Sequence, residues 1–398
     1  MLLVSFAISV ALIFMSYLFI PIPDVLTISG TIDTSDAYLY LTASTFAFIM
    51  GYILPPIFHK KRENSRICEE MTSRDIVPTR YIVSCLVIGI VGVFIYLVQI
   101  KSTVGFGIYM NIFLSSGSSV ETNALRFATM GVSHEEGGLP GIIKMFEINT
   151  VIAPFCLMAL IARGYKIETK SNIVMATLIG LMYLIGAALR MDRLSLLALI
   201  PISIKVIQKT KSRRIKVLGV GATVVMLIFM IFQSVRRGSQ FSLIEWVGLY
   251  NHLGMNNLAL MMKSVTQHTF GLMGVFSGVT WIFKGVNLDI LPETSFDSVW
   301  GGAQNGFGIM YADFSWFGVM ACFFIGIFSR GVDLKVKKQL IGTWIEIQCL
   351  ISYALLSVWT VPAYGGMEYW VLLISSIMMV NSVVARKSIN MREIVGGK

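Results

Sequence analysis

The sequence predicts an all-α polytopic membrane protein of about ten transmembrane helices, with twelve as the alternative count, and two large loops on one side of the bilayer. Three observations carry that fold class. The 398 residues are 55% hydrophobic and only 14% charged, more apolar surface than a water-soluble core can hide, so lipid must be the solvent for most of it. Apolar runs recur along the whole chain with the roughly 20 residues that a helix needs to cross a hydrocarbon core of about 30 Å. Lys and Arg gather in alternate links between those runs. No stretch between the runs is long enough for a separate soluble domain, so residues 1–398 read as one integral membrane domain.

In chain order the expected spans are 2–20, 38–58, 81–100, 146–163, 172–189, 194–208, 217–233, 306–329, 341–361 and 367–385. The first follows Met1 at once, with no basic segment ahead of it and no small-residue cleavage site, and so reads as a span and not a removable signal. Residues 172–208 cannot be one helix, since 37 residues would reach about 55 Å. The break belongs at Arg190, Met191, Asp192 and Arg193. With both termini inside, the cytoplasmic links hold 23 of the 32 Lys and Arg residues. Asp24, Asp33, Asp36, Glu135, Glu136, Asp289, Glu293 and Asp297 all fall outside, which agrees. Cys85, Cys156, Cys322 and Cys349 lie in spans and Cys68 in a cytoplasmic link, so no exterior disulfide is expected.

Two exterior links are enlarged, 101–145 and 234–305. Both are rich in large apolar residues, including Phe106, Tyr109, Trp246, Tyr250, Trp281 and Trp300, and are expected to pack as amphipathic or re-entrant helices. Residues 269–283 are apolar enough for a further crossing. Crossing alone would put Arg330, Lys335, Lys337 and Lys338 outside, and crossing together with 242–262 gives the count of twelve. Asn251, His252, Asn256 and Asn257 favour leaving 242–262 uncrossed.

The net charge of +10 sits in short links and not on a folded basic surface, so topology explains it and nucleic-acid binding is not expected. Arg126, Arg190, Arg193, Arg236 and Arg237 are exceptions to the positive-inside pattern. Guanidinium keeps its charge and pairs bidentately with phosphate, so several at one depth suit a diphosphate at the outer membrane surface. The bland alternative is arginines snorkelling to lipid headgroups. Of the histidines, His59 starts a basic link, His134 stands beside Glu135 and Glu136, and His252 lies seven residues after Glu245 on one helical face, with His268 further along the same loop. Each reads more readily as an interfacial polar residue than as a general base, with His252 the strongest candidate for a base among them. Asp33 and Asp36 read as a helix-cap pair more readily than as a metal site. No phosphate-cradling loop, dinucleotide fingerprint, zinc-spaced cluster or nucleophile elbow is present, so neither cofactor nor metal is expected.

Three short motifs make the layout resemble the bacterial O-antigen polymerase family, the Wzy-type oligosaccharide repeat-unit polymerases. The first is Asn123-Ala124-Leu125-Arg126 with Gly137-Gly138-Leu139-Pro140-Gly141 downstream; the second is Arg190-Met191-Asp192-Arg193 before a leucine-rich span. The third runs from Asn305-Gly306-Phe307-Gly308 to Ala312-Asp313-Phe314-Ser315-Trp316-Phe317-Gly318, with Ser315 where the family commonly carries glycine. The resemblance implies a membrane glycosyltransferase, of the kind built on the many-span GT-C-type plan, in the bacterial inner membrane with its site facing the periplasm. It further implies transfer of a growing glycan from polyprenyl diphosphate to the non-reducing end of a new lipid-linked repeat unit. Arg126, Arg193 and Arg236 or Arg237 would steady the departing diphosphate, and His252 or Glu136 would take the acceptor proton. Asn305 and Asp313 would belong to the substrate-binding loop, and a chain-length regulator and a repeat-unit flippase would be partners. A transporter of lipid-linked glycan and an O-antigen ligase share much of this layout and stand as the alternatives.

Overall fold

The computed structural model describes residues 1–19, 32–54, 76–114, 145–190, 194–209, 224, 243–265, 267–272, 305–337, 344–358 and 367–396. Among them the chain is helical, and its one departure toward sheet is an isolated parallel bridge between Ile76 and Lys166. The α-helices are α1 (Leu2–Phe19), α2 (Ser35–Ile53), α3 (Thr79–Thr103), α4 (Phe106–Leu114), α5 (Asn149–Ala162), α6 (Lys170–Arg190), α7 (Leu194–Lys209), α8 (Leu243–Ser264), α9 (Gly306–Phe314), α10 (Gly318–Lys337), α11 (Trp344–Ser357) and α12 (Met367–Gly396).

Three helical stretches are long and apolar enough to cross a membrane, Thr79–Thr103, Lys170–Leu189 and Gly306–Lys337, and each falls on an expected span. Shorter apolar helices at Leu2–Ser16, Phe146–Ala162, Trp344–Ser357 and Glu368–Val383 fall on four more. Apart from Val224, the span expected at 217–233 lies outside the described residues. Outward faces carry apolar stripes at helical spacing: Val83, Val87, Ile90 and Phe94 on α3, and Met320, Phe324 and Phe328 on α10, are exposed. Such stripes suit a hydrocarbon solvent, in which the helix satisfies its own backbone groups.

The chain divides into two compact units. The first comprises Met1–Asn64, Phe241–Gln339 and Leu350–Trp370. Its tightest seam joins α2 to α10 through reciprocal glycines. A Cβ added to Gly51 would lie 2.0 Å from the Phe323 carbonyl oxygen, and one added to Gly326 would lie 2.3 Å from that of Phe48. Gly318, Cys322 and Gly326 recur every fourth residue along α10, the small-residue ridge by which membrane helices approach closely. Buried serines contribute hydrogen bonds between apolar helices: Ser5 Oγ meets Ser352 Oγ at 2.5 Å, and Ser9 Oγ donates to the Leu355 carbonyl at 2.5 Å. At the Met1 end, Asp333 accepts from the terminal ammonium at 3.2 Å, from Leu2 N at 3.3 Å and from Tyr52 Oη at 2.6 Å, while Arg330 lies 5.4 Å over the Tyr52 ring. This gathers a buried carboxylate with cationic and phenolic partners, the condition under which such a charge is tolerated.

The second unit comprises Ser65–Gln240, Leu340–Cys349 and Val371–Lys398. Here α3 and α6 both meet α5 at Thr150. A Cβ on Gly92 would lie 2.7 Å from Thr150 N, and one on Gly186 would lie 3.1 Å from its Cγ2. Gly105, at φ +84°, ends α3 in the left-handed conformation and donates its N–H to the Ile100 carbonyl at 3.0 Å, which turns the chain into α4. Arg163, at the end of α5, grips Glu346 bidentately, Nε to Oε1 at 2.7 Å and Nη2 to Oε2 at 2.5 Å, and Glu346 is fully buried. The thiols of Cys85, Cys156 and Cys349 here, and that of Cys322 in the first unit, form no disulfide and are buried in their helices.

One expected span departs from a simple crossing. Met310 Sδ and Cys322 Sγ are 3.3 Å apart, and a Cβ on Gly318 would lie 3.0 Å from the Met310 carbonyl oxygen. In a straight helix residues twelve apart are separated by about 18 Å. The run 306–329 therefore divides: α9 is a short helix folded back against α10, and the rest of the apolar run belongs to α10. The hinge is Ser315, at φ +52° and ψ −141°.

Candidate functional site

In the first unit the half-helix α9 carries the third motif, and both of its ends are tied down. Asn305 is its N-cap: the backbone is extended and Oδ1 accepts the Gly308 N–H at 2.9 Å. Nδ2 reaches Met255 Sδ on α8 at 3.4 Å, and Gly306 N donates to the Val358 carbonyl at 2.8 Å. Asn305 is 1% exposed, so the electropositive end of α9 begins in the protein interior.

At the other end the carbonyls that a helix leaves unpaired are met by residues 268–270. Thr269 N donates to the Ala312 carbonyl at 3.3 Å and Phe270 N to that of Asp313 at 3.0 Å. The Thr269 hydroxyl donates to the buried Asp313 carboxylate. The second long loop thus returns to the motif that follows it. Phe270, at φ +49°, and Gly271, at φ +93°, form the turn that makes this approach.

His268 is the residue that the sequence left in the background. Its Nδ1 lies 3.1 Å from the Ala312 carbonyl oxygen, and a carbonyl only accepts, so Nδ1 carries the hydrogen. The ring stands edge-on to Tyr311 at 6.0 Å and is half-buried. Orienting the imidazole through Nδ1 leaves Nε2 as the nitrogen for general-base chemistry. The signal available in sequence was small, His268-Thr269-Phe270-Gly271 as a polar turn ahead of an apolar stretch. His252, the base preferred from sequence, lies on α8 and is buried, 7% exposed, on a helix packed against α1, α2 and α9.

In the second unit the end of α6 is clamped. The Leu189 carbonyl accepts from Tyr96 Oη at 3.2 Å and from Tyr109 Oη as well. Tyr109 belongs to α4, the opening of the first long loop, so this loop starts beside the residue that precedes Arg190. Arg190 closes α6; its side chain lies outside the described residues, as do Arg126, Glu136, Arg193, Arg236 and Arg237. Of the residues expected to form the site, Asn305 and Asp313 are therefore the pair that the described structure brings onto one element, about 12 Å apart along eight helical steps.

Asp33 accepts the Ser35 N–H at 3.0 Å at the start of α2, and that bond, followed by one from the Ser35 side chain, holds its carboxyl below the ordinary 3.8. The N-cap of α2 is Thr34, without a side-chain capping bond, so the cap role expected of Asp33 and Asp36 is not taken up: Asp33 closes a turn one residue earlier and Asp36 lies in the first helical turn. Among the described residues no group of three or more His, Cys, Asp or Glu is placed to hold a metal ion.

Comparison with family models, with curated proteins and with solved structures finds no match to this chain.

Proposed function

We propose that the protein is a periplasm-facing polymerase of the bacterial inner membrane, joining polyprenyl-diphosphate-linked oligosaccharide repeat units into O-antigen or a similar surface polysaccharide. The observation that carries the reading is α9: the motif resembling the polymerase family forms a half-helix with Asn305 buried at its start, Asp313 at its end, and an oriented histidine against its last carbonyls. Ten crossings, both termini in the cytoplasm and the two enlarged loops outside complete the topology.

In the step itself an acceptor hydroxyl oxygen attacks the anomeric carbon of the growing glycan. A new glycosidic C–O bond forms, the bond to polyprenyl diphosphate breaks, and the diphosphate leaves with the electron pair. The acceptor proton passes to His268 Nε2, with Glu136 and His252 as the competing bases. Arg126, Arg190, Arg193, Arg236 and Arg237 supply fixed positive charge where negative charge develops on the leaving group. No nucleotide or metal enters the balance. A chain-length regulator and a repeat-unit flippase are the expected partners.

Purified protein supplied with synthetic polyprenyl-diphosphate repeat units, and no nucleotide, should build a ladder of products on a gel. Arg126→Ala and Arg193→Ala should abolish it. A half-helix whose start is buried in the protein also favours a second reading, a transporter of lipid-linked glycan, since transporters place interrupted helices around their substrate sites. Authentic units left unextended by folded protein but moved across proteoliposomes would establish that reading in place of the first.

A further inference from the structure

The first unit contains a cavity of about 190 Å³ that has no part in the steps above. Phe6, Phe48, Phe307, Phe328, Ala354 and Trp370 are among the residues that line it, and among the described residues no charged side chain does. Phe6 and Phe48 stack at 3.9 Å between ring centroids, and Phe6 meets Phe307 edge-on at 6.3 Å. A water molecule needs two to four polar partners, and the polar side chains of the lining are few: the Tyr369 hydroxyl, the Trp370 indole and the Cys322 thiol, which already donates to Met310 Sδ. Such a space suits hydrocarbon. An apolar cavity of about 150 Å³ accepts one benzene, so this one has room for on the order of eight carbon atoms.

Two features say where that hydrocarbon comes from. Phe328 lines the cavity while being 56% exposed, and it continues the outward apolar stripe of Met320 and Phe324, so the cavity communicates with the surface that the bilayer covers. Gly306 and Phe307, the first residues of α9, form part of the lining, immediately after Asn305. One short element thus has an apolar cavity at its buried start and the oriented His268 at its far end.

We infer that this cavity binds a hydrocarbon chain drawn from the bilayer, and, resting on the polymerase reading, that the chain is a short stretch of the isoprenoid tail of a lipid-linked glycan. Holding the tail at the foot of α9 keeps the diphosphate and sugars within one half-helix of His268, which converts a lateral encounter in the membrane into a positioned one. The remainder of the tail stays in lipid.

The test uses the full chain in nanodiscs with a polyprenyl phosphate carrying a diazirine in its tail, and a phosphatidylethanolamine carrying the same group in an acyl chain as the second arm. Labelled peptides should map to the cavity lining for the polyprenyl probe, and unlabelled polyprenyl phosphate should displace it. Ala354→Phe, which sets a benzyl group into the space, should cut labelling tenfold or more without lowering the melting temperature. Polyprenyl labels spread evenly over the outward stripes, or unchanged by Ala354→Phe, would overturn the site. Equal capture of the phosphatidylethanolamine probe, resistant to polyprenyl competition, would overturn the isoprenoid assignment. If Ala354→Phe does not fold, the competition experiment on the unaltered protein decides alone. Cavity labelling without polymerisation would count against the proposed reaction and leave the site standing; polymerisation without cavity labelling would do the reverse.

Discussion

Gly326→Ala is expected to unlock the first unit from a position that touches no expected site residue. The added Cβ falls 2.3 Å from the Phe48 carbonyl oxygen and 2.9 Å from Tyr52 N, both backbone atoms that no rotamer change can move. Ordinary contact begins near 3.4 Å, so α2 and α10 must part by about 1 Å. A gap of about that size forfeits a quarter to a half of each atom pair's dispersion well along the seam. Overpacking of this kind costs about 1–3 kcal/mol. The same displacement stretches the Tyr52 Oη to Asp333 hydrogen bond from 2.6 Å to a separation at which it no longer holds, and a bond to a charged group contributes about 1.5–3 kcal/mol. We expect a total loss of about 3–4 kcal/mol, read by SDS titration from mixed micelles. Tyr52→Phe removes only the second part. In the double variant the two losses should fall short of additivity by the worth of that bond, about 1.5–3 kcal/mol, because the hydrogen bond cannot be lost twice. Additive losses, or a Gly326→Ala protein within about 0.5 kcal/mol of the original, would refute the claim that close helix approach holds Tyr52 on Asp333.

Four further outcomes follow from single contacts. Ser315→Gly should stabilise the protein by about 1 kcal/mol, a rise of a few degrees in thermal unfolding, because φ +52° with ψ −141° is a conformation that glycine adopts without strain; a lower melting temperature would show that the hydroxyl is needed there. Arg163→Met should cost about 3–5 kcal/mol by leaving the buried Glu346 carboxylate without its fork, and adding Glu346→Gln should recover most of it in the same unfolding assay. His268→Asn keeps a donor for the Ala312 carbonyl but removes the base; polymerisation should fall by about 10²–10⁴ in kcat at unchanged KM and lose the acid limb of its pH profile, and an intact acid limb would exclude the role. The Asp33 carboxyl is held below its ordinary 3.8, so its contribution is present above that value and lost as pH falls through the lower folded value. Asp33→Asn should therefore melt below the unaltered protein at neutral pH and converge with it as pH falls below the lowered pKa of Asp33.

The long apolar helices were legible because lipid leaves a backbone no partner but itself, so hydropathy and helix become almost the same statement along α3, α6 and α10. The half-helix was not legible by that rule. Residues 306–329 read as one run because Phe314, Trp316 and Phe317 are as apolar as a span interior, and a reversal at Ser315 costs backbone strain, which leaves no mark on hydropathy. Its traces were of another kind: Asn305 ahead of Gly306 was a usable cap signal, and the mismatch of Ser315 against a glycine in the similar motif marked the one residue with positive φ in that stretch. Arg163 shows the complementary limit. Counted with the link 163–171, it supported the orientation, yet its guanidinium is spent on Glu346, 183 positions away and fully buried, a pairing that no local pattern reports. The choice between His252 and His268 turns on the same distinction. Sequence placed both in one loop and gave His252 a helical partner in Glu245, whereas the Ala312 carbonyl that fixes the ring of His268 comes from a helix 44 positions further on. Residue type announces which chemistry is available, and the long-range contacts of a folded chain decide which of two identical side chains is held ready to use it.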